Sequence, residues 1–328
     1  MDTSVMITLG FLVFAIVMFA WEKIPLSITA MVVAVGLHLS GVLSAKEAFA
    51  GFVDPNVLLF MGMFVIGEAF FATGVAVGVG NVVHKFAKTE TSLLVAVMMI
   101  TGILSGFLSN TGTAAVLIPV IIGICKKSGF KQTKLLMPLV FAAAMGGNIS
   151  LIGAPGNMIA QAGLQQAGLG SFGFFDYGLV GLPILIVGTI FYATIGKRFL
   201  PDAPSHQPDG AFEGNDDYSH VPSWKKWTAA IILILTVVAM IFEKQLGVKL
   251  YVSAWIGALV LVATNVISET AAVKSIDMKT IMLFAGSMAL GDAMVKTGTG
   301  SVIADIIVNS LGASPSPIVV LVVIFVLG

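Results

Sequence analysis

Two short polar segments interrupt apolar stretches of this chain, and their residue types could bind a solute or an ion. The first, residues 109–113, reads Ser-Asn-Thr-Gly-Thr. The second, residues 146–157, reads Gly-Gly-Asn-Ile-Ser-Leu-Ile-Gly-Ala-Pro-Gly-Asn. A membrane helix pairs its own backbone polar groups, and a Gly, Pro or Asn break at membrane depth releases them. Because lipid cannot pair those groups, such breaks occur where protein or a water-filled cavity receives them.

The chemistry of these segments suits an anion and a small cation. An anion that enters a low-dielectric site must exchange its water for fixed donors. The helix that starts near Gly112 would present unpaired N–H groups and its positive dipole end. Hydroxyls and an amide add donors without a buried charge, and carbonyls freed in the second segment are hard oxygen ligands. We therefore predict a substrate site formed by Ser109, Asn110, Thr111 and Thr113.

The composition is that of a polytopic membrane protein. Of 328 residues, 57% are hydrophobic and only 10% are charged, and the mean hydropathy is +1.01. An ordinary soluble domain has about 25% charged residues. The 17 basic and 17 acidic side chains form no basic patch that would suggest nucleic acid. One cysteine, Cys125, excludes an intrachain disulfide, and four scattered histidines argue against a metal site.

Apolar runs predict an all-α protein with an interrupted hairpin and a broken helix. Each arm of residues 91–125 is shorter than the roughly 20 residues that a crossing needs, so a re-entrant hairpin fits better than two crossings. A second interrupted run covers residues 135–163, and residues 200–223 form a polar linker. Other membrane helices are predicted over residues 5–20, 26–42, 57–83, 177–195, 229–242, 251–267 and 281–295.

The positions of the basic residues predict the orientation in the membrane. If the hairpin opens to the cytoplasm and each other run crosses once, thirteen basic residues lie inside and four outside, as the positive-inside rule expects. The first residue is then outside. The inside set is Lys23, Lys85, Lys88, Lys126, Lys127, Lys131, Lys134, Lys197, Arg198, Lys225, Lys226, Lys274 and Lys279, and the outside set is Lys46, Lys244, Lys249 and Lys296.

An internal repeat with a spacing of 224 residues divides the chain. Residues 59–62 (Leu-Phe-Met-Gly) recur as residues 283–286 (Leu-Phe-Ala-Gly), and Thr-Gly at 73–74 recurs at 297–298. The charge assignment makes the two copies inverted, which is typical of secondary transporters with discontinuous helices. Glu68 and Asp292 occupy matched positions, and acids inside membrane helices are candidate coupling groups.

The repeat predicts two halves. The first, residues 1–199, contains scaffold helices, the cytoplasmic-opening hairpin 91–125, the broken helix 135–163 and a sixth helix over 177–199. The cytoplasmic linker 200–223 follows, and residues 224–328 form a second, incomplete repeat. The final apolar stretch, residues 318–328, is too short to cross a membrane, so we expect a C-terminally truncated sequence with a second Ser-Asn-Thr beyond its end.

The Ser-Asn-Thr tip at 109–111 and the 146–157 run resemble those of the divalent-anion:sodium symporter family. That family lies within an ion transporter superfamily with citrate, arsenite and sodium/proton carriers. The resemblance implies a homodimer in which a scaffold domain supports a mobile transport domain. It also implies substrate carboxylates at the Ser-Asn-Thr tip and a sodium site between that tip and the following broken helix. The expected cation-binding residues are Ser109, Asn110, Asn148, Gly153 and Asn157.

The sequence therefore predicts a non-enzymatic secondary transporter. The first hypothesis is sodium-coupled symport of a di- or tricarboxylate, or a similar divalent anion, by alternating access. The alternative is a sodium/proton antiporter or an arsenite-type efflux permease of the same superfamily, in which Glu68 and Asp292 would be central. The expected ligands are a small anion and sodium or a proton, with no other cofactor. The expected location is the plasma or inner membrane of the cell.

Overall fold

A computed structural model describes residues 2–78, 89–128, 130–200, 218–303 and 305. Regular structure in these residues is helical, without strands. The α-helices are α1 (Thr3–Trp21), α2 (Leu26–Leu39), α3 (Ala45–Ala48), α4 (Pro55–Ala72), α5 (Glu90–Ser105), α6 (Asn110–Ser128), α7 (Thr133–Gly146), α8 (Pro155–Gln166), α9 (Gly178–Thr194), α10 (Ser223–Ile241), α11 (Glu243–Leu246), α12 (Leu250–Ala263), α13 (Glu269–Ser275) and α14 (Met278–Thr297). Short 3₁₀ segments cover Ala50–Val53, Gly196–Arg198 and Tyr218–His220.

The prediction of an all-α, polytopic membrane protein is confirmed. Within the described residues, α1, α4, α10 and α14 are long and apolar enough to cross a membrane, by length and composition. Six shorter apolar helices accompany them, namely α2, α5, α6, α7, α9 and α12. The helices are also interrupted where the sequence predicts, between α5 and α6 and between α7 and α8.

Three predicted helices end earlier than the apolar pattern suggests. The third run was predicted over residues 57–83, but α4 ends at Ala72, because Gly74 has a left-handed φ of +75°. In the same way, α2 and α12 end before Gly41, with φ 77°, and Asn265, with φ 55°. Beyond Gly74 a separate helical stretch covers residues 75–78, and residues 79–83 of the predicted run lie outside the described residues. These turns end the helices although the hydrophobic pattern continues, so hydropathy alone cannot locate the ends. Most of the predicted linker, residues 201–217, and the end of the chain, residues 306–328, lie outside the described residues.

The chain forms two compact units. The first comprises Met1–Asp54 and Lys279–Gly328, and the second comprises Pro55–Met278. Each unit combines helices from both halves that the repeat predicts. In the first unit, α1, α2 and α14 share an apolar core with buried Ala15, Val33, Leu37, Ala289 and Ala293.

An ion pair also connects α3 and α14 within the first unit. Lys296 Nζ donates to both carboxylate oxygens of Glu47, at 2.8 and 2.9 Å, and the backbone N–H of Ser44 donates to the same carboxylate. These donors lower the pKa of Glu47 from 4.5 to about 2. The pair therefore stabilises the fold above about pH 4.5, and its contribution is lost as the pH falls towards 2.

The second unit contains two helix clusters. In one, α5, α6, α7 and α9 surround a core of fully buried side chains that includes Leu93, Met98, Leu135, Leu139 and Leu185. In the other, α4 packs against α10, α12 and α13. The first cluster carries the predicted binding segments, so its packing determines their geometry.

The same close helix contact occurs in both units, at positions related by the 224-residue repeat. In the first unit, a Cβ on Gly286 would lie 2.3 Å from the carbonyl oxygen of Ala30. In the second, a Cβ on Gly62 would lie 2.8 Å from Cβ of Ala254. Both glycines therefore let two helix backbones approach closely, as small residues do in membrane helix packing.

Local structure repeats at the same spacing. The bounds of α2 and α12 are related by 224 positions, and so are the left-handed residues Gly41 and Asn265 that follow them. Ser44 and Ser268, another matched pair, each accept a backbone N–H to cap the next helix. These agreements support the sequence repeat, and the inverted orientation of its copies in a membrane stays a prediction.

We expect Gly286→Ala to lower the unfolding temperature of the purified protein in detergent. The added Cβ would displace the α2 backbone, and overpacking of this kind costs about 1–3 kcal/mol. The matched control is Gly10→Ala in α1, where nothing lies within 4 Å of the new methyl group. That control should leave the unfolding temperature unchanged or raise it slightly. Equal unfolding temperatures for the two variants would contradict the assigned role of Gly286.

Candidate functional site

The first break is a four-residue turn that ends in a helix N-terminus. Helix α5 stops at Ser105, and α6 starts at Asn110. The Gly112 N–H donates to Ser109 Oγ at 3.3 Å, so Ser109 caps the new helix. The side chains of Ser109 and Thr111 are exposed, and Asn110 is half-buried. This end of α6 therefore presents polar side chains and the positive end of the helix dipole.

The second break is a longer turn that is held closed by its own side chains. Between Gly146 and Pro155 the backbone leaves the helix. The buried Asn157 side chain reaches back, and its Nδ2 donates to the carbonyl oxygens of Gly147 and Ser150, at 2.9 Å each. Tyr177 Oη in turn donates to the Asn157 carbonyl at 2.8 Å. The carbonyls of Gly147 and Ser150 are thus paired by a side-chain amide rather than left open.

Two serines join the breaks to each other. Ser150 Oγ in the second break donates to the Gly106 carbonyl in the first. Ser105 Oγ, at the end of α5, donates to the Ala143 carbonyl of α7 at 2.7 Å. Both serines are fully buried. Each hydroxyl therefore pairs a carbonyl across the contact between residues 105–110 and residues 143–157. We call this contact the junction.

Asn110 is the residue that connects the helix N-terminus to the second break. Because the single Ser105 proton is used at Ala143, we assign the Asn110 amide with Nδ2 facing Ser105 Oγ, at 2.5 Å. Nδ2 then also reaches the carbonyl oxygens of Gly153, at 3.0 Å, and Ala143, at 3.2 Å. Asn110 thus contacts both segments that the sequence singles out.

Glycines allow the backbone to approach itself at this junction. A Cβ on Gly147 would lie 2.7 Å from the Asn110 amide, and one on Gly153 would lie 2.5 Å from the Gly147 carbonyl oxygen. A Cβ on Gly181 of α9 would lie 1.9 Å from the Asn148 carbonyl oxygen. Any larger residue at Gly147 or Gly153 would therefore open the turn.

The structure brings some predicted site residues together and separates others. Asn110, Gly153 and Asn157 meet at the junction, and Ser109 and Thr111 lie at its exposed edge. Asn148 has an exposed side chain, and its carbonyl packs on α9. Thr113 is fully buried, and its hydroxyl has no partner within the described residues.

Glu68 and Asp292 belong to different units. Glu68 lies in α4 of the second unit, and Asp292 lies in α14 of the first. Both side chains are half-buried, and neither makes a hydrogen bond or ion pair in the described part of the chain. The two acids occupy matched positions of the repeat, as the sequence indicates.

Sequence reasoning missed two residues of the junction. Ser105 precedes the Ser-Asn-Thr tip by one helical turn, so a search for polar groups at the end of the first arm could have found it. Tyr177 lies 20 residues beyond Asn157, and no local pattern indicates their contact. Both residues act by orienting Asn110 and Asn157 rather than by facing the exposed edge.

We expect Asn157→Ala to destabilise the protein, because the buried carbonyls of Gly147 and Ser150 would lose their donor. An unpaired buried polar group costs about 1–3 kcal/mol. Thermal unfolding in detergent would measure the loss, with Asn148→Ala as a control that removes an exposed amide from the same turn. If both variants unfold at the temperature of the unmodified protein, the Asn157 amide does not hold the turn.

Several known proteins with similar sequences are named as transporters. An uncharacterized transporter of Escherichia coli is 33% identical over 211 residues, which cover 64% of this chain and 35% of that protein. An uncharacterized transporter of Haemophilus influenzae is 26% identical over 319 residues, which cover 92% and 67%, respectively. A protein of Chlamydomonas reinhardtii named as a sodium/sulfate cotransporter is 27% identical over 168 residues, which cover 49% and 19%.

The coverage of these relatives is partial. The match spans about a third of the Escherichia coli protein and two thirds of the Haemophilus influenzae protein. A family model described as citrate transporter (CitMHS), by contrast, matches residues 16–328, nearly the whole chain. The chain therefore belongs to the citrate transporter family, within the superfamily that its polar breaks resemble.

Proposed function

We propose that the protein is a secondary active transporter that couples sodium to the symport of a divalent anion, such as a di- or tricarboxylate, by alternating access. The observation that carries this proposal is the position of Asn110. It starts the helix whose N-terminus faces the exposed edge, and its amide reaches the Gly153 carbonyl in the second break. One residue thus belongs to both the proposed anion site and the proposed cation site.

The anion would bind at the exposed edge of the first break. Ser109 and Thr111 place hydroxyl groups there, and the N–H groups of Asn110 and Thr111 in the first turn of α6 have no acceptor within the described residues. Helix N-termini bind anions through such N–H groups and the helix dipole. A site made of neutral donors also needs no buried cationic side chain, which would hold the anion too tightly for its release.

The cation would bind the carbonyls of the second break. The carbonyl oxygens of Gly147, Ser150 and Gly153 each accept an amide N–H from Asn110 or Asn157. Each carbonyl has two lone pairs, so it can keep its amide partner and still contact an ion. Oxygen ligands of this kind suit a hard, small cation such as sodium.

Coupling follows from the shared residue. A cation at the carbonyls would offset the charge of an anion at the neighbouring helix end, and both would fix the Asn110 side chain. A coupling free energy of about 1–3 kcal/mol is common for linked sites. The name of the Chlamydomonas reinhardtii relative, a sodium/sulfate cotransporter, agrees with paired binding of sodium and a divalent anion. We further propose a homodimer in the cell membrane, with the first residue outside.

The second candidate is sodium/proton exchange. It is favoured by Glu68 and Asp292, two half-buried acids on apolar helices that have no partner among the described residues. Ionisable groups within membrane helices are expensive to keep and are often functional. In this case the deprotonated acids, rather than an anion, would balance the sodium charge, and their protons would be released when sodium binds.

Uptake by the full protein in proteoliposomes tests the symport proposal. Labelled succinate, citrate and sulfate would be supplied with sodium or with choline, and sodium should raise the uptake of one of them. Asn110→Ala should abolish that sodium-dependent uptake, and Ser109→Ala should lower the affinity for the anion at constant sodium. The control is Thr228→Ala, whose exposed hydroxyl only bonds Trp224 in its own helix. Full uptake by Asn110→Ala protein would reject the proposed site.

Proton movement distinguishes the second candidate. An antiporter should release protons when sodium is added to liposomes that contain a pH-sensitive dye, with no anion present. Glu68→Gln or Asp292→Asn should remove that signal, whereas both variants should keep sodium-dependent anion uptake if the protein is a symporter. Unchanged proton release in both variants would exclude a coupling role for the acids.

A further inference from the structure

A basic pocket lies in the second unit, away from the two breaks. It has a volume of about 430 Å³ and is formed where the start of α5, the start of α7 and the 3₁₀ segment after α9 meet. Lys134, Lys197 and Arg198 contribute three cations to its wall, and Glu90 contributes one carboxylate. The lining therefore has an excess of positive charge, which selects an anionic ligand.

The pocket also contains a helix N-terminus. Thr91 is the second residue of the 16-residue helix α5, and Lys197 Nζ donates to its hydroxyl at 3.3 Å. The cap residue Thr89 satisfies the N–H of Ser92, which leaves the N–H groups of Glu90 and Thr91 without an acceptor in the described structure. Free N–H groups next to lysine and arginine side chains form the donor set that phosphate groups bind.

Glu90 adds a requirement that a simple phosphate would not meet. Its Oε1 atom is buried and has no hydrogen-bond partner among the described residues. A carboxylate with a buried, unpaired oxygen is costly, so a ligand that donates a hydrogen bond to the part of Glu90 that lines the pocket would gain free energy. The wall thus offers donors for a phosphate and, beside them, one acceptor for a hydroxyl or ammonium group.

The surface next to the pocket is apolar and exposed. Side chains on α9 and just after it remain uncovered, with exposed fractions of 57% at Ile190, 54% at Ile195 and 78% at Phe199. Lys197 and Arg198 directly precede Phe199, so the cations stand at the end of this apolar surface. Acyl chains of a lipid could cover these residues while its headgroup occupied the pocket.

We propose that this pocket binds the headgroup of a membrane phospholipid whose phosphodiester is accompanied by a hydrogen-bond donor, as in phosphatidylglycerol or phosphatidylethanolamine. The phosphate contacts Lys134, Lys197, Arg198 and the first turn of α5. The headgroup hydroxyl or ammonium donates to Glu90. The lipid would connect α5, α7 and α9, the helices that support both breaks.

Thermal unfolding of the full protein in detergent, with and without added lipid, tests this site. Phosphatidylglycerol and phosphatidylethanolamine should raise the unfolding temperature. Phosphatidylcholine should raise the unfolding temperature less, because it has the same phosphodiester but its quaternary ammonium has no N–H to donate. Inorganic phosphate and glycerol phosphate are tested in the same way, to find out whether a soluble anion binds the pocket. If they stabilise the protein as strongly as the lipids at equal concentration, the ligand is a soluble anion and the lipid proposal is wrong.

Variants assign the effect to the pocket. Lys197→Gln and Arg198→Gln should each weaken phosphatidylglycerol binding at least about fivefold, measured by native mass spectrometry. Glu90→Gln should keep binding but weaken the preference for phosphatidylethanolamine over phosphatidylcholine, because a neutral amide oxygen accepts a weaker hydrogen bond than a carboxylate. Lys274→Gln, which neutralises an exposed lysine of the same unit, is the matched control. Each variant is first compared with the unmodified protein without lipid, so that a folding defect is distinguished from lost binding.

Two outcomes would overturn the proposal. One is equal lipid stabilisation of the unmodified protein and the Lys197→Gln and Arg198→Gln variants. The other is identical affinity for phosphatidylethanolamine and phosphatidylcholine in the unmodified protein, which would remove the donor contact to Glu90.

Discussion

Pairing of backbone carbonyls at two helix breaks is the constraint on which the candidate site depends. Where α7 ends and α8 begins, the chain leaves the helix and its carbonyls lose their usual N–H partners. Asn157 supplies two of the missing donors, Asn110 supplies another, and Ser150 reaches across to the first break. These bonds lower the cost of the break in the absence of ligand, because each carbonyl that accepts one of them is no longer unpaired.

Glycine at close approaches is the second structural requirement. At Gly147 and Gly153 it allows the polar junction to form, and at Gly62 and Gly286 it allows helices to pack backbone to backbone. The latter two are related by the sequence repeat, and each contacts an alanine at a matched position of the other repeat. Each unit contains one of these contacts, so the same packing arrangement occurs twice in the chain.

The fold could be predicted from the sequence where it depends on hydropathy and on the Gly, Pro and Asn residues that interrupt helices. The interruptions at Ser105–Asn110 and at Gly146–Pro155 were predicted because polar residues stand inside long apolar runs. The end of α4 at Ala72 could not be predicted from hydropathy, because hydrophobic residues continue past Gly74. The left-handed backbone of Gly74 ends the helix there. The contact of Tyr177 with Asn157 depends on tertiary packing, which no local pattern encodes.

The predicted role of the asparagines also needs a physical refinement. The resemblance implied Asn110 and Asn157 as cation-binding residues without specifying their atoms. In the structure Asn157 directs its nitrogen at two carbonyls, and the assigned orientation of Asn110 does the same. Both amides thus hold the carbonyls in place. An ion that binds those oxygens would meet ligands whose positions are already fixed, so it would spend little of its binding free energy on ordering the turn. The same amide, Asn110, stands beside the helix N-terminus, so an ion that draws the Gly153 carbonyl towards itself would also change the donor geometry offered to an anion. In the proposed mechanism the two sites would communicate through this single side chain, and residues 105–113 and 146–157 include no charged side chain.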